Sequence, residues 1–214
     1  MVTGPVDRDE DVPYGEDWQS VAETTAWAEA ADRKRPWRAQ FRDAIAEQVA
    51  ALRPGARVLE LGSGPGFLAE RVLQRCSQLA SYTLLDFSVP MIAMSRERLA
   101  AFSAAEFVVA SFKSEEWVRS VEGQFDCVVS MQAIHEIRHK RHVPKLYRQV
   151  YQVTAKPGLV LICDHTPWDD SWRWTTLFMT EEEQTGALSA AGFGDVRVAL
   201  SIDRLVLYQG RKVG

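Results

Sequence analysis

The sequence predicts an α/β fold: a seven-stranded, mostly parallel sheet with helices on both faces. Three observations carry that expectation. After Pro54-Gly55, short β-branched or aliphatic runs begin to alternate with segments whose apolar residues recur every three to four positions. The runs end at glycines, acids or turn residues rather than continuing as helix. The chain closes on two such runs, 196–200 and 204–208, joined by the short turn at Ser201-Ile202-Asp203. That turn leaves no room for a crossover helix, so the last strand must run antiparallel to its neighbour.

Residues 1–14 are polar and turn-rich and are expected to be loosely ordered. Residues 18–31 read as a helix with Val21, Thr25 and Ala28 on one side. Pro36 breaks it and suits the first turn of a second helix, which buries Trp37, Phe41, Ile45 and Val49 and stops at Pro54-Gly55. Residues 1–54 thus form an N-terminal helical cap and residues 55–214 the sheet domain, together one structural unit. Residues 57–61 are the first buried strand, followed by a helix striped with Leu68, Val72 and Cys76. Residues 82–85 are the second strand, closed by Asp86. Ser88 is then an N-cap and Pro90 a first-turn residue for a helix burying Met91, Ile92, Ser95 and Leu99. Residues 107–109 and 125–129 are the third and fourth strands, and a helix over 143–153 leads to Lys156-Pro157-Gly158 and the fifth strand at 159–163. Thr180-Glu181-Glu182-Glu183 matches a capping box that opens the last helix, which ends at Gly192.

Hydrophobic residues make up 46% of the chain, enough for one core without disulfide or metal support. The longest uninterrupted apolar run, 159–163, is far short of the ~20 residues that span a bilayer, and the acidic N-terminus lacks a leader pattern. Cys76, Cys127 and Cys163 form an odd set without CxxC spacing, which suits a reducing compartment. A cytoplasmic protein with no membrane partner is expected. The net charge of −4 argues against a nucleic-acid partner. Two basic stretches, Arg33, Lys34, Arg35, Arg38 and Arg42, then Arg138, Lys140, Arg141, Lys145 and Arg148, read at helical spacing as solvated faces.

The most informative segment is Val58-Leu59-Glu60-Leu61-Gly62-Ser63-Gly64-Pro65-Gly66-Phe67, between the first strand and its helix, where an open α/β sheet places a ligand. Glycines there let the backbone turn sharply and approach a ligand closely. The dinucleotide fingerprint G-x-G-x-x-G requires a glycine where this chain has Phe67. The spacing is instead acid-x-G-x-G-x-G. It resembles motif I of the class I S-adenosylmethionine-dependent methyltransferases, and Leu85-Asp86-Phe87-Ser88-Val89-Pro90-Met91 resembles their second motif. Phe125-Asp126-Cys127-Val128-Val129-Ser130, Lys156-Pro157-Gly158 and Ala191-Gly192-Phe193 fall where later motifs of that family lie, so the resemblance runs from about residue 56 to the C-terminus.

The resemblance implies a Rossmann-like sheet, S-adenosyl-L-methionine as cofactor, and S-adenosyl-L-homocysteine as product. Carried over by position, Asp86 would accept from the ribose hydroxyls, Phe87 would pack on the adenine, and Gly62 and Gly64 would meet the methionine portion and ribose. Glu60 would orient the loop and favour the ligand's positive charge, with Ser63, Gly66, Phe112 and Ser130 completing the cofactor set. Asp86 also reads as an acid at a helix N-terminus. Many relatives place an acid after the third strand to meet the adenine amine; this chain has Ser111, a neutral and weaker acceptor.

Methyl transfer from a sulfonium needs alignment and water exclusion, and a base only when the nucleophile arrives protonated. The candidates follow the fourth and fifth strands. His135, in Met131-Gln132-Ala133-Ile134-His135-Glu136, is the leading base, with a structural histidine as the alternative. Asp164 and His165 end the fifth strand and could face substrate, although Asp164 could equally cap its loop. His139 and His142 read as surface residues. Metal-ligand spacing is lacking, so no metal is expected. Trp168, Trp172 and Trp174 crowd the loop after the fifth strand and are assigned as an acceptor wall, while Trp37 reads as packing. The expected function is methyl transfer to a small aromatic or apolar metabolite. The alternatives are an RNA or protein methyltransferase and a non-catalytic module that binds S-adenosyl ligands.

Overall fold

The computed structural model describes residues 10–213. Helices α1 (Val21–Lys34) and α2 (Arg38–Ala50) precede the sheet. Its strands are β1 (Arg57–Leu61), β2 (Ser81–Asp86), β3 (Ala105–Val109), β4 (Phe125–Met131), β5 (Thr154–His165), β6 (Gly194–Ile202) and β7 (Leu205–Lys212). Between them lie α3 (Phe67–Arg75), α4 (Val89–Arg98), α5 (Val143–Val153), α6 (Trp172–Leu177) and α7 (Glu181–Ala190).

The seven strands form one sheet in the order β3-β2-β1-β4-β5-β7-β6. The first five pair in parallel, and β7 lies antiparallel between β5 and β6. Both the strand count and the antiparallel last strand match the sequence expectation. The order reverses between β1 and β4, which opens a crevice beyond the carboxyl ends of these strands.

Alternation along β1 splits the core into two layers. Val58 faces α2 and α3, where Phe41, Ile45, Val49, Leu68 and Val72 are buried. Leu59 and Leu61 face the other layer, with Leu146, Tyr147 and Val150 of α5 and Leu188 of α7. Every residue of β2 is buried, as expected for a parallel strand covered on both faces. The predicted caps form: Ser88 Oγ accepts from Met91 N, and Thr180 and Glu183 make a reciprocal capping box.

Three local expectations are corrected. Part of the stretch expected to be loose lies at 1–9, outside the described residues. Within the rest, Val12 is buried, and its N–H donates to the Arg138 carbonyl at 2.9 Å. Second, β5 begins at Thr154, before the Pro-Gly pair, because β7 is long enough to pair as far as Gly158 and β4 picks up Thr154 beyond a register shift. Third, the tryptophan-rich loop after β5 contains α6, whose six residues are too short to register as a helical period.

Gly62 and Gly66 show why the loop after β1 needs glycine. Gly62 has φ +68°, and a Cβ there would lie 2.3 Å from Ala133 Cβ and 3.3 Å from the Phe112 ring. Gly66, at φ +81°, would meet Ser95 Cβ at 3.0 Å, so it sets how closely α3 and α4 pack. Gly62→Ala is expected to destabilise the fold by about 2–3 kcal/mol in urea unfolding. The helical Gly186, whose Cβ position is open, should instead tolerate alanine with a gain of up to about 1 kcal/mol.

Candidate active site

The crevice is a cavity of about 600 Å³ lined by the loop after β1, the turn after β2, the loops after β4 and β5, and the N-terminal segment. At one end the glycine loop is drawn onto β2, with Gly62 N and Ser63 N both donating to Leu85 O. Gly64 N then donates to Asp86 Oδ2 at 2.8 Å, and Ser88 N to Asp86 Oδ1 at 2.9 Å. Burial raises the Asp86 pKa, partly offset by these N–H donors and reinforced by the charge on Glu136. A Cβ on Gly64 would meet nothing within 4 Å, so that backbone faces open space. Phe87, Met91 and Phe112 line the same end.

The N-terminal segment is fastened across this end. Ser88 Oγ donates to Trp18 O, and Gln19 Nε2 donates to Phe87 O. The Arg138 guanidinium donates to the carbonyls of Val12 and Pro13, pairs with Glu136 and stacks on Tyr14.

At the other end, Asp164 closes three hydrogen bonds. Its Oδ1 accepts from His135 Nδ1 at 2.7 Å and His165 N at 2.8 Å, and its Oδ2 accepts from His135 N at 3.0 Å. For His135, burial opposes the cation, but the charge and hydrogen bond of Asp164, with Glu136, leave its pKa raised. With Nδ1–H donated to Asp164, the basic lone pair is on Nε2, 3.5 Å from a Glu136 carboxylate oxygen. His165 differs. Its Nε2 lies 2.9 Å from Arg35 Nη1 and 2.7 Å from Gln132 Nε2. A guanidinium only donates, so this nitrogen accepts and the ring is neutral. Burial, with the charges of His135, Arg35 and Arg38, lowers the His165 pKa to about 3 despite Asp164.

Trp168, Trp174 and Phe178 form an aromatic cluster above these histidines. Trp168 and Phe178 are 5.1 Å apart between centroids, Trp174 and Phe178 5.8 Å, and Phe178 and His135 5.0 Å. Val12 and Leu177 pack beneath it.

A family model described as a methyltransferase domain matches residues 58–158. A curated relative, the tuberculostearic acid methyltransferase UfaA1 of Mycobacterium tuberculosis, is 32% identical over 139 residues, 65% of this chain and 30% of that protein. Residues 58–158 therefore resemble a methyltransferase domain, the family to which the glycine-loop motif pointed. Among solved structures, human N-acetylserotonin methyltransferase in complex with S-adenosylmethionine is similar at TM-score 0.69 and 17% identity, over 95% of this chain and 61% of that one. The S-adenosylhomocysteine complex of DhpI is similar at TM-score 0.68 and 21% identity, over 92% and 96%. The chain therefore spans less than a third of its curated relative and most of the DhpI chain.

The family motifs fall unevenly on the cavity. Gly62, Gly64, Asp86, Phe87 and Phe112 line it, as do His135, His165, Trp168 and Trp174. Glu60, Ser63, Gly66, Ser111, Ser130, Asp164 and Trp172 are not among the lining residues. Ser130 Oγ donates to Leu61 O and ties β4 to β1, Ser111 Oγ accepts from Lys113 N in a turn, and Trp172 packs against the Val12 cluster. Asp164 touches the site through His135. Glu60 accepts from the Tyr82 hydroxyl at 2.9 Å, and burial pushes its pKa up to about 8. It is thus largely neutral near pH 7 rather than a fixed negative charge.

The basic stretches are not simply solvated. Arg38 and Arg138 are buried, and Arg35 joins them on the cavity wall, because bends at Pro36 and at Arg138 (φ +73°) turn them inward. His139 is buried too, its Nδ1 accepting from Arg141 N, while His142 reaches Asp11. Gln132, Glu136 and Phe178 are further lining residues that sequence reasoning did not single out. Only the position of the first two after the fourth strand hinted at it. Among the described residues, no group of three His, Cys, Asp or Glu side chains could hold a metal ion, and no helix is long and apolar enough to cross a membrane.

Glu60 yields a pH prediction. Its folded pKa, about 8, exceeds the ordinary 4.5, so between these values the folded state holds a proton that the unfolded chain has lost. Stability from this group is present below the ordinary value and declines as pH rises toward about 8. Glu60→Gln, which can still accept from Tyr82, should flatten the fall in melting temperature across that window.

Proposed function

We propose that this chain binds S-adenosyl-L-methionine at the Gly64–Asp86 end of the cavity and transfers its methyl group to a small acceptor held at the Trp168–Trp174 end. The observation that carries the reading is the pairing of the two ends in one cavity. A buried carboxylate beside an open glycine backbone lies at one end, and a histidine braced by a carboxylate lies at the other. The glycine-loop residues fit the cofactor, since side-chain atoms on Gly64 would fill the space the ligand needs. Asp86 Oδ1 and Oδ2 each retain acceptor capacity beyond the backbone donors and would receive the ribose hydroxyls. Phe87 and Phe112 would flank the adenine. When bound, the cofactor supplies an electrophilic methyl on a sulfonium, so the protein's part is alignment, desolvation and proton removal.

His135 is the base in this reading. Asp164 fixes its tautomer and ring plane, and Nε2 accepts the proton of an acceptor hydroxyl or amine. The aromatic cluster of Trp168, Trp174 and Phe178 gives a planar or apolar body a surface and excludes water. The inward turn of Arg38 and Arg138 removes charges that a macromolecular acceptor would need at the surface, which favours the small acceptor.

Calorimetric titration with S-adenosylhomocysteine tests the cofactor half. Micromolar-range binding is expected, weakened at least about tenfold in Asp86→Ala by loss of charge-assisted hydrogen bonds. Wild-type protein that fails to bind the ligand would sink the reading.

The base is tested by titrating the histidine rings by NMR. His135 should titrate above the ordinary 6.5. Asp164→Asn keeps the geometry, removes the charge that lifts the pKa, and should move the midpoint to lower pH. An unmoved midpoint counts against the dyad. Since the base must be neutral, turnover should rise with pH through this midpoint, and His135→Ala should cut it roughly 10²–10⁴-fold without loss of cofactor binding.

A further inference from the structure

We propose that Arg35 is a specificity-determining residue that reads a carboxylate on the acceptor, so that the substrate is an acid with an aromatic or apolar body. The inference deepens the reading above and rests on its assignment of this end of the cavity to the acceptor.

Arg35 caps the C-terminal end of α1 and is half-buried on the cavity wall. Two contacts fix its guanidinium. Nη1 donates to His165 Nε2 at 2.9 Å, and the group lies 5.6 Å from the Trp168 ring centroid. Neither partner carries a negative charge. His165 is held as a neutral acceptor between Arg35 and Gln132. The arrangement therefore orients a cation without neutralising it.

Three carboxylates of the site, Asp164, Glu136 and Asp86, are engaged elsewhere. Asp164 serves His135 and two backbone N–H groups, Glu136 pairs with Arg138, and Asp86 holds the glycine loop. Asp164 and Asp203 act on Arg35 only through space. Among the described residues no carboxylate is in ion-pair contact with it. A half-buried guanidinium with one of its five N–H donors occupied suits a bidentate carboxylate. The indole of Trp168 beneath it, next to Trp174, gives the rest of such an acid an aromatic surface.

A dye-free binding assay tests this with matched pairs that differ in charge alone: benzoate and benzamide, 3-phenylpropionate and its amide, octanoate and octanamide. Tryptophan fluorescence is read with S-adenosylhomocysteine present. The wild type should prefer the acid by about tenfold or more in at least one pair, the scale of one charge-assisted contact. Arg35→Gln can still donate to His165 Nε2 but lacks the charge, and should bring the pair within about twofold. Arg35→Lys should retain part of the preference. Arg197→Met, an exposed change on β6, should leave it intact. Absence of acid binding in every pair, or a preference that survives in Arg35→Gln, overturns the proposal. S-adenosylhomocysteine affinity, measured separately, should be the same in Arg35→Gln and wild type. Its absence from the wild type would instead strike the cofactor reading, with the acid–amide comparison run without it still deciding the role of Arg35.

Discussion

The Asp164 carboxylate at the end of β5 holds the loop after β4 against its neighbouring strand, and the geometry of the histidine end of the cavity follows from that contact. It accepts two hydrogen bonds from His135 and one from the backbone of His165. Burial opposes its charge, but the His135 charge and hydrogen bond, and the His165 backbone N–H, keep its pKa below the ordinary value. A buried carboxylate so compensated must stay ionised, and its donors must stay where they are. Two loops that would otherwise move independently are thereby fixed relative to each other.

The glycine-loop end repeats that device on β2. Asp86 accepts from Gly64 N and Ser88 N, one donor from the loop after β1 and one from its own turn. Ser88 then caps α4 and fastens the N-terminal segment through Trp18. Each end of the cavity is thus organised by a strand-terminal acid. Glu60, one strand away from Asp86, has a different fate because, among the described residues, the Tyr82 hydroxyl is the donor that reaches it and no backbone N–H does. Carboxylates on adjacent strands are separated by their donors into a loop-organising group and one that stays largely protonated.

Most of the fold was legible in the sequence because it depends on local signals. Period changes marked β1 to β7, and Ser88 and Thr180 announced their helices by side-chain chemistry that needs no tertiary context. The glycine-loop end was legible for a related reason, since the glycines and Asp86 follow or end consecutive strands, β1 and β2, that pair side by side. The histidine end was harder. It is assembled from the N-terminal segment, the loop after β4 and the loop after β5, and such meetings leave no periodic trace. Arg35 and Arg138 looked like members of charged runs, and only a broken helix and a positive φ show that they turn inward. Ser130 shows another limit: its motif position suggested the ligand, and pairing of β4 with β1 directs its hydroxyl to Leu61.

His135 and His165 illustrate why residue type alone could not assign the chemistry. Both contact Asp164, and both lie on the cavity wall. His135 offers its ring nitrogen to the carboxylate, so the imidazolium is favoured and its pKa rises. His165 offers only its backbone N–H, which leaves the ring facing Arg35 and Gln132, and its pKa falls to about 3. A histidine with a raised pKa and one with a lowered pKa arise beside the same carboxylate, through the choice of which atom is turned toward it. The consequence is a cavity in which His135 and the Arg35 cation are held apart. Between the His135 ring and the Arg35 guanidinium lies a ring that does not itself titrate near neutral pH.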